Sequence, residues 1–259
     1  MKNTFFILLL FLLFSLFNCS EKKPNKHVKD IKEKLSLAEE IIESSIIAHG
    51  GDQLYANSFE FDFRGKSYSF TQNEKHAVYQ LKFNQNDSLF IDKLDQGKFI
   101  RFVNGTEIDL NAKQVDQYSN ALNSVMYFTL LPFKLKDPSV IMAFKGKTSI
   151  KNNTYHIVRV TFSADGGKDH EDEFYYWFNS ENHRMEYFAY NYKVNEGGVR
   201  FRVAKNPREI SGVLFYDYEN YEAELGTTME KLPLLYEKDE LTLLSEIKNE
   251  NIRTRKALF

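Results

Sequence analysis

The chain has 259 residues, 27% charged and 15% aromatic, with 34 Lys+Arg against 36 Asp+Glu and a formal net charge of −2. So even a balance supplies no basic footprint for nucleic acid, and a single cysteine excludes an intramolecular disulfide. Setting aside a short N-terminal segment leaves about 230 residues, enough for one sizeable core.

After Lys2, residues 5–17 are all Phe, Ile or Leu except Ser15. A charged start and a short apolar run form the pattern of a secretory signal. A membrane-spanning helix needs roughly 20 apolar residues, so the run is short for an anchor. Leu16, Phe17 and Asn18 precede the lone Cys19. A leucine three places before a cysteine, at the end of the apolar core, resembles a bacterial lipoprotein signal. That resemblance implies cleavage after residue 18 and lipid attachment at Cys19, through a diacylglycerol thioether and acyl chains such as palmitate. Phe17 and Asn18 are bulkier than the residues usual there, and a free thiol beside an uncleaved signal is the other reading. Two acyl chains hold a protein at a membrane, whereas one does so only marginally. The next residue is Ser20, not the Asp of the inner-membrane retention signal, so the expected location is the outer membrane, in either leaflet. Residues 19–30 are polar, contain Pro24 and show little periodicity, as a solvated tether would. The expected organisation is a signal over 1–18, a tether over 19–30 and one domain over 31–259.

The spacing predicts a helix over 31–49, with Ile31, Leu35, Ala38, Ile42, Ile46 and His49 on one face. Gly50 and Gly51 stop it. Residues 58–64 (SFEFDFR) alternate strictly, as a half-buried strand does. Strands are predicted over 66–71, 76–83, 88–94 and 98–103, with turn chemistry at Asn86–Asp87, Gln96–Gly97 and Asn104–Gly105. Short connections make successive strands antiparallel neighbours. Residues 111–131 interrupt the series with helical spacing, and Pro132 closes them. Further strands are predicted over 147–151, 155–162, 173–178, 185–194, 199–204 and 213–221, and 241–252 stays open between helix and strand.

These elements predict a mainly β (α+β) fold. Its expected form is one large curved antiparallel sheet of about ten strands, or an incomplete barrel, with the N-terminal and inserted helices covering an apolar groove. Two helices cannot seal such a sheet, so it must curl around a roomy, aromatic-lined concavity suited to a lipid or other apolar ligand.

The stretches AEEIIESSIIAHGG (38–51), DGGKDHEDEFYYWFN (165–179), MEYFAYNY (185–192) and GGVRFRVAKNPREISGVLFYDYENY (197–221) resemble an uncharacterised family of envelope lipoproteins from Bacteroidetes-type bacteria. The resemblance implies a fold similar to the lipoprotein carriers LolA and LolB, incomplete barrels whose helices plug an apolar groove that shields acyl chains in transit. LolB carries its own lipid, and this chain is similar to it in that respect.

Several residues are candidates for a site. His170 and Asp172 fall two apart in the polar run 165–173, where they could orient each other, hold a cation or move a proton; a solvated hairpin end is the plain alternative. By alternation His170, Asp172 and Tyr176 share one strand face, and Trp177 lies on the other. Arg200 and Arg202 project from one face, suited to a carboxylate or phosphate head group or to ion pairs with Glu171 or Glu186. His49 is either a hydrogen-bonded core histidine or a cation at a helix end. Trp177 is sheet core, cavity wall or both.

No serine elbow, P-loop, zinc signature or dinucleotide fingerprint is present, and no metal or other cofactor is implied. The sequence therefore points to a lipid-anchored envelope protein that binds a hydrophobic ligand, a lipid or a lipoprotein acyl chain, as a monomer. An enzyme using His170 and Asp172, or an assembly lipoprotein binding a protein partner, are the alternatives.

Overall fold

The computed structural model describes residues 35–72, 76–163, 172–193 and 197–256, all within the unit that begins at Leu35. The signal, Cys19, the tether and His170 lie outside the described residues.

The first helix, α1 (Leu37–Ala48), starts later than its apolar spacing predicts. Ser36 and Glu39 form a capping box, in which the serine Oγ accepts from the Glu39 N–H at 3.3 Å and the carboxylate accepts from the Ser36 N–H at 2.6 Å. That reciprocal cap satisfies two of the amides a helix start leaves unpaired, and Leu35 stays half-exposed outside it. Ala38, Ile42, Ile46 and His49 are buried as the spacing requires, together with Ile41 and Ser45.

After the short α2 (Gln53–Ala56) come β1 (Asn57–Phe63), β2 (Lys66–Gln72), β3 (Ala77–Gln85), β4 (Ser88–Asp95), β5 (Lys98–Val103) and β6 (Thr106–Ile108). The turn joining β3 to β4 places Asn86 and Asp87 both at positive φ, 48° and 57°, the paired left-handed geometry of a tight hairpin. Helix α3 (Ala112–Thr129) follows, capped by Asn111 and Gln114, and leads into a 3₁₀ turn, Phe133–Lys136. Next are β7 (Val140–Ile150), β8 (Asn153–Phe162), β9 (Phe174–Asn179), β10 (Met185–Tyr192), β11 (Gly198–Ile210) and β12 (Val213–Ala223). The chain ends with α4 (Leu232–Glu237), β13 (Thr242–Ile247) and β14 (Glu250–Lys256).

The strands form two antiparallel sheets in place of the single sheet expected. One runs β14-β1-β2-β3-β4-β5-β6 and the other β13-β12-β11-β10-β9-β8-β7, seven strands each. The incomplete-barrel form survives because the C-terminal segment serves both. It leaves the edge of the second sheet as β13, passes Lys248 and Asn249, and becomes the edge of the first as β14. At the far ends, α3 and the 3₁₀ turn carry the chain from β6 to β7.

The main core lies between the sheets. Phe59, Phe61, Tyr68 and Phe70 face Tyr176, Phe178, Phe188 and Phe215, and α1 and α3 fill the space with Ile42, Ile46, Leu122 and Met126. More helix packs on the sheets than expected, because α2 adds Leu54 to the main core and α4 covers a second face. On the outer face of the second sheet, α4 and its preceding turn place Met229, Leu232 and Tyr236 over Tyr155, Trp177, Tyr187 and Phe201. Strand β9 (FYYWFN) is therefore buried on both faces, which is why it is continuously apolar and does not alternate.

Two contacts fix the arrangement. Gly50 has φ +118°, and a Cβ there would sit 2.4 Å from the Gly212 carbonyl oxygen in the β11–β12 turn. The Leu214 N–H donates to the His49 carbonyl at 3.0 Å, so the end of α1 docks backbone to backbone on that hairpin. At the junction of β13 and β14, Arg208 donates to both Asp217 oxygens (2.8 and 2.7 Å), the Asn249 N–H donates to Asp217 at 3.1 Å, and Arg208 also donates to the Asn249 carbonyl at 3.1 Å. Burial raises the Asp217 pKa, but hydrogen bonds from Arg208, Asn206 and Asn249 outweigh it and leave the carboxyl below its ordinary value of 3.8.

Gly50→Ala is expected to lower the unfolding free energy by at least about 2 kcal/mol in urea titration, since it adds both a disfavoured φ and a backbone clash. Asp217→Asn is expected to cost about 2–3 kcal/mol by leaving Arg208 without its counter-charge. Acid titration should show two stages. Burial holds the His49 pKa down at about 4, so stability falls as pH drops from about 6.5 toward 4 while the unfolded chain takes up that proton. Asp217 contributes stability that is fully present above pH 3.8 and lost at still lower pH, and the Asn variant is expected to lack this second stage.

Candidate ligand cavity

The β10–β11 register pairs Tyr190 with Arg200 and Phe188 with Arg202, while Val199, Phe201 and Val203 turn outward beneath α4. Alternation therefore sends both guanidinium groups to the inner side, next to Tyr190 and Tyr192. They line a cavity of about 580 Å³ at one end of the inter-sheet space. The second half of α3 forms one wall through Val125, Tyr127, Phe128 and Thr129; Phe162, Phe174 and Tyr218 of the second sheet form another. Arg64 at the β1–β2 turn and Ile247 and Asn249 at the strand junction complete the rim.

This lining is amphipathic: the expected aromatic wall is present, and polar side chains join it. Asn120, Asn123, Lys134, Asp137 and Asp172 share it with the aromatic rings. The cause lies in the helices: the large side chains of α1 and α3 already occupy the middle of the inter-sheet space, and what remains open is its end, where polar residues meet water.

The two arginines differ. Arg200 donates to Glu222 on β12 at 2.8 Å and to the Tyr192 hydroxyl at 2.6 Å. Among the described residues its ion-pair partner is therefore Glu222 of the neighbouring strand β12 and not Glu186, which accepts from the Tyr155 hydroxyl; Glu171 lies outside the described residues. Arg202 is only 8% exposed. It donates to the Tyr190 hydroxyl at 2.9 Å and to Asn220 Oδ1 at 3.4 Å, and its guanidinium lies 4.2 Å from the centre of the Phe128 ring. None of these partners is charged.

The remaining candidates separate. Asp172 lines the cavity and is already engaged in an interaction of its own. Tyr176 is fully buried behind the cavity wall, where its hydroxyl and that of Tyr127 lie 2.7 Å apart. Burial pushes both phenols well up, so each stays protonated. Trp177 sits on the opposite face of β9, under α4. His49 lies at the α1–hairpin junction, where its Nδ1–H donates to the Ser45 carbonyl at 2.7 Å. Sequence reasoning passed over Phe128, Tyr190 and Tyr192; the run MEYFAYNY carries two of them at alternate positions, one residue apart from the face of Ala189 and Asn191. Among the described residues, no group of three or more His, Cys, Asp or Glu gathers around a common point that would hold a metal.

Tyr127→Phe is expected to cost about 1–3 kcal/mol by stranding the buried Tyr176 hydroxyl. The double variant with Tyr176→Phe should cost less than the two single changes added together, because the second change removes the group the first leaves unpaired. Urea denaturation of the four proteins in that cycle measures the coupling.

No curated protein matches the sequence. Among solved structures the chain is similar to a LolA superfamily protein from Nitrosomonas europaea, at 9% identity and a TM-score of 0.50 over 86% of this chain and 96% of that one. It is also similar to a putative outer membrane lipoprotein-sorting protein domain from Vibrio parahaemolyticus (7% identity, TM-score 0.47, 86% and 94% of the two chains). A DUF1329 family protein from Desulfovibrio piger matches at 10% identity and a TM-score of 0.40, over 87% and 96%. At such identities the likeness is one of fold, and the fold is LolA-like. The model of a family of unknown function (DUF6503) matches residues 5–249, so the chain belongs to that family.

Proposed function

We propose that this protein binds a hydrophobic ligand, a lipid or a lipoprotein acyl chain, in the cavity between its sheets, while an acylated Cys19 holds it at the cell envelope. The observation that carries the reading is the cavity itself. Its volume of about 580 Å³ is in the range that holds small ligands, and one side of it is aromatic. The LolA-like fold supports the same reading, as does the resemblance of four stretches of the chain to envelope lipoproteins. The apolar run 5–17 followed by Cys19 supports the anchor, and Ser20 in place of Asp favours the outer membrane. No helix among the described residues is long and apolar enough to cross a bilayer. The proposed attachment is through lipid, since two acyl chains suffice to hold a protein at a membrane.

Organic extraction of the purified full-length protein, followed by mass spectrometry, tests both parts. A co-purifying lipid is expected. Val125→Trp, which places a large ring into the cavity wall, should reduce its recovery at least about tenfold while circular dichroism stays unchanged. The N-terminal peptide of the same preparation should begin at Cys19 with added acyl mass. A lipid-free wild-type protein counts against the cavity, and an unmodified Cys19 counts against the anchor.

A further inference from the structure

The cavity wall is unevenly charged. Among the described residues, Arg64, Lys134, Arg200 and Arg202 line it against Asp137 and Asp172. Lys134 faces Asp137 at 3.8 Å and Arg200 faces Glu222 at 2.8 Å. Arg202, more than nine-tenths buried, forms no ion pair with any described carboxylate.

A guanidinium cannot discard its proton to escape desolvation, so Arg202 keeps its charge in a poorly hydrated place. Phe128 covers one face of it, and stacking leaves the N–H donors free in the plane of the group. Nε and Nη2 donate to neutral oxygens, and Nη1 makes no hydrogen bond among the described residues. The flanking hydroxyls are prepared in the same sense. Tyr190 accepts from Arg202 and Tyr192 accepts from Arg200, so each phenol still has its own O–H to donate. Their rings lie 6.2 Å apart. From this cluster an aromatic track leads away: Tyr190 stacks on Phe174 at 5.4 Å, and Phe174 meets Phe162 edge-on at 5.7 Å.

We propose that the cavity selects an anionic amphiphile, whose carboxylate or phosphate sits on Arg202 beside the Tyr190 and Tyr192 hydroxyls and whose apolar chain follows Phe174 and Phe162. This rests on the reading of the cavity as a ligand site and adds the charge of the ligand to it. A forked guanidinium matches the paired oxygens of either anion.

The test uses purified full-length protein and a fluorescent fatty acid, cis-parinaric acid, against its uncharged methyl ester, with millimolar inorganic phosphate as competitor. Wild type is expected to bind the acid at least about tenfold more tightly than the ester. Arg202→Met should erase that preference by weakening the acid alone. Tyr190→Phe, which preserves the ring, should weaken the acid about threefold and leave the ester unchanged, and it carries the comparison if the methionine variant does not fold. Phosphate that displaces the acid from wild type, and not from Arg202→Met, identifies free phosphate as a second source of the anion; preference for the acid without such competition identifies a lipid head group. Equal affinity for acid and ester overturns the anionic assignment and leaves the cavity as a ligand site. Binding of neither amphiphile overturns the cavity reading, and calorimetric phosphate binding that depends on Arg202 would then leave the anion site standing alone.

Discussion

The structure depends on how one C-terminal segment is held while it changes sheets. Between β13 and β14 the backbone must leave one hydrogen-bond ladder before joining the next, and Asn249 at the crossing is buried. Buried backbone groups without partners are costly. Asp217 resolves this by accepting from the Asn249 N–H, and Arg208 by donating to the Asn249 carbonyl while neutralising Asp217. The Asn249 side chain adds a bond to the Tyr216 carbonyl at 3.4 Å. A charged pair therefore satisfies both backbone groups of the residue at which the fold turns its corner. Because Ile247 and Asn249 also line the cavity, the same network sets part of its rim.

At the opposite side the gap between sheets is bridged by α3, and here aromatic packing joins the Tyr127–Tyr176 hydrogen bond. Phe128 stacks on Phe188 at 5.7 Å, Tyr127 meets Phe174 at 6.0 Å, and Arg101 lies 3.6 Å from the Tyr118 ring centre while its guanidinium forks onto Asp92. The last of these is a buried ion pair with its charges matched inside the protein. Arg202 is the contrasting case, a buried cation whose described neighbours are rings and neutral oxygens. The two arginines are similarly buried and differ in that Arg101 pairs with a described carboxylate and Arg202 does not.

Much of the first sheet was legible in the sequence. Strands β1 to β5 alternate and are separated by residues that accept positive φ, so both their number and their sidedness follow from the pattern. The inserted helix was legible for the same reason. Strand β6 is three residues long and offers no period, and β7 alternates between half-buried and exposed positions, with only Ile150 fully buried. So β6 was not predicted, and of β7 only the end was, as the strand expected over 147–151; its first half, 140–146, lacks the apolar contrast that marks a strand. Helix α4 was missed because its six residues, LPLLYE, are too few to show helical spacing. That omission mattered for the site. Alternation separates Tyr176 from Trp177, but both faces of FYYWFN are apolar, and only the presence of α4 decides that Trp177 is the outer one.

The arginine pair shows where a sequence reading stops. Period two puts Arg200 and Arg202 on one face, and composition says that such a face wants anions. It does not say which strands lie alongside, and the described partner of Arg200 comes from β12. Register then separates two residues that the pattern makes equivalent. Arg200 pairs across to Glu222, while Arg202, two residues on, pairs across to Asn220. An asparagine can accept a hydrogen bond and cannot neutralise a charge. That one difference on β12 leaves Arg202 without a described counter-charge beside an aromatic wall, and it is the feature on which the proposed choice of an anionic occupant rests.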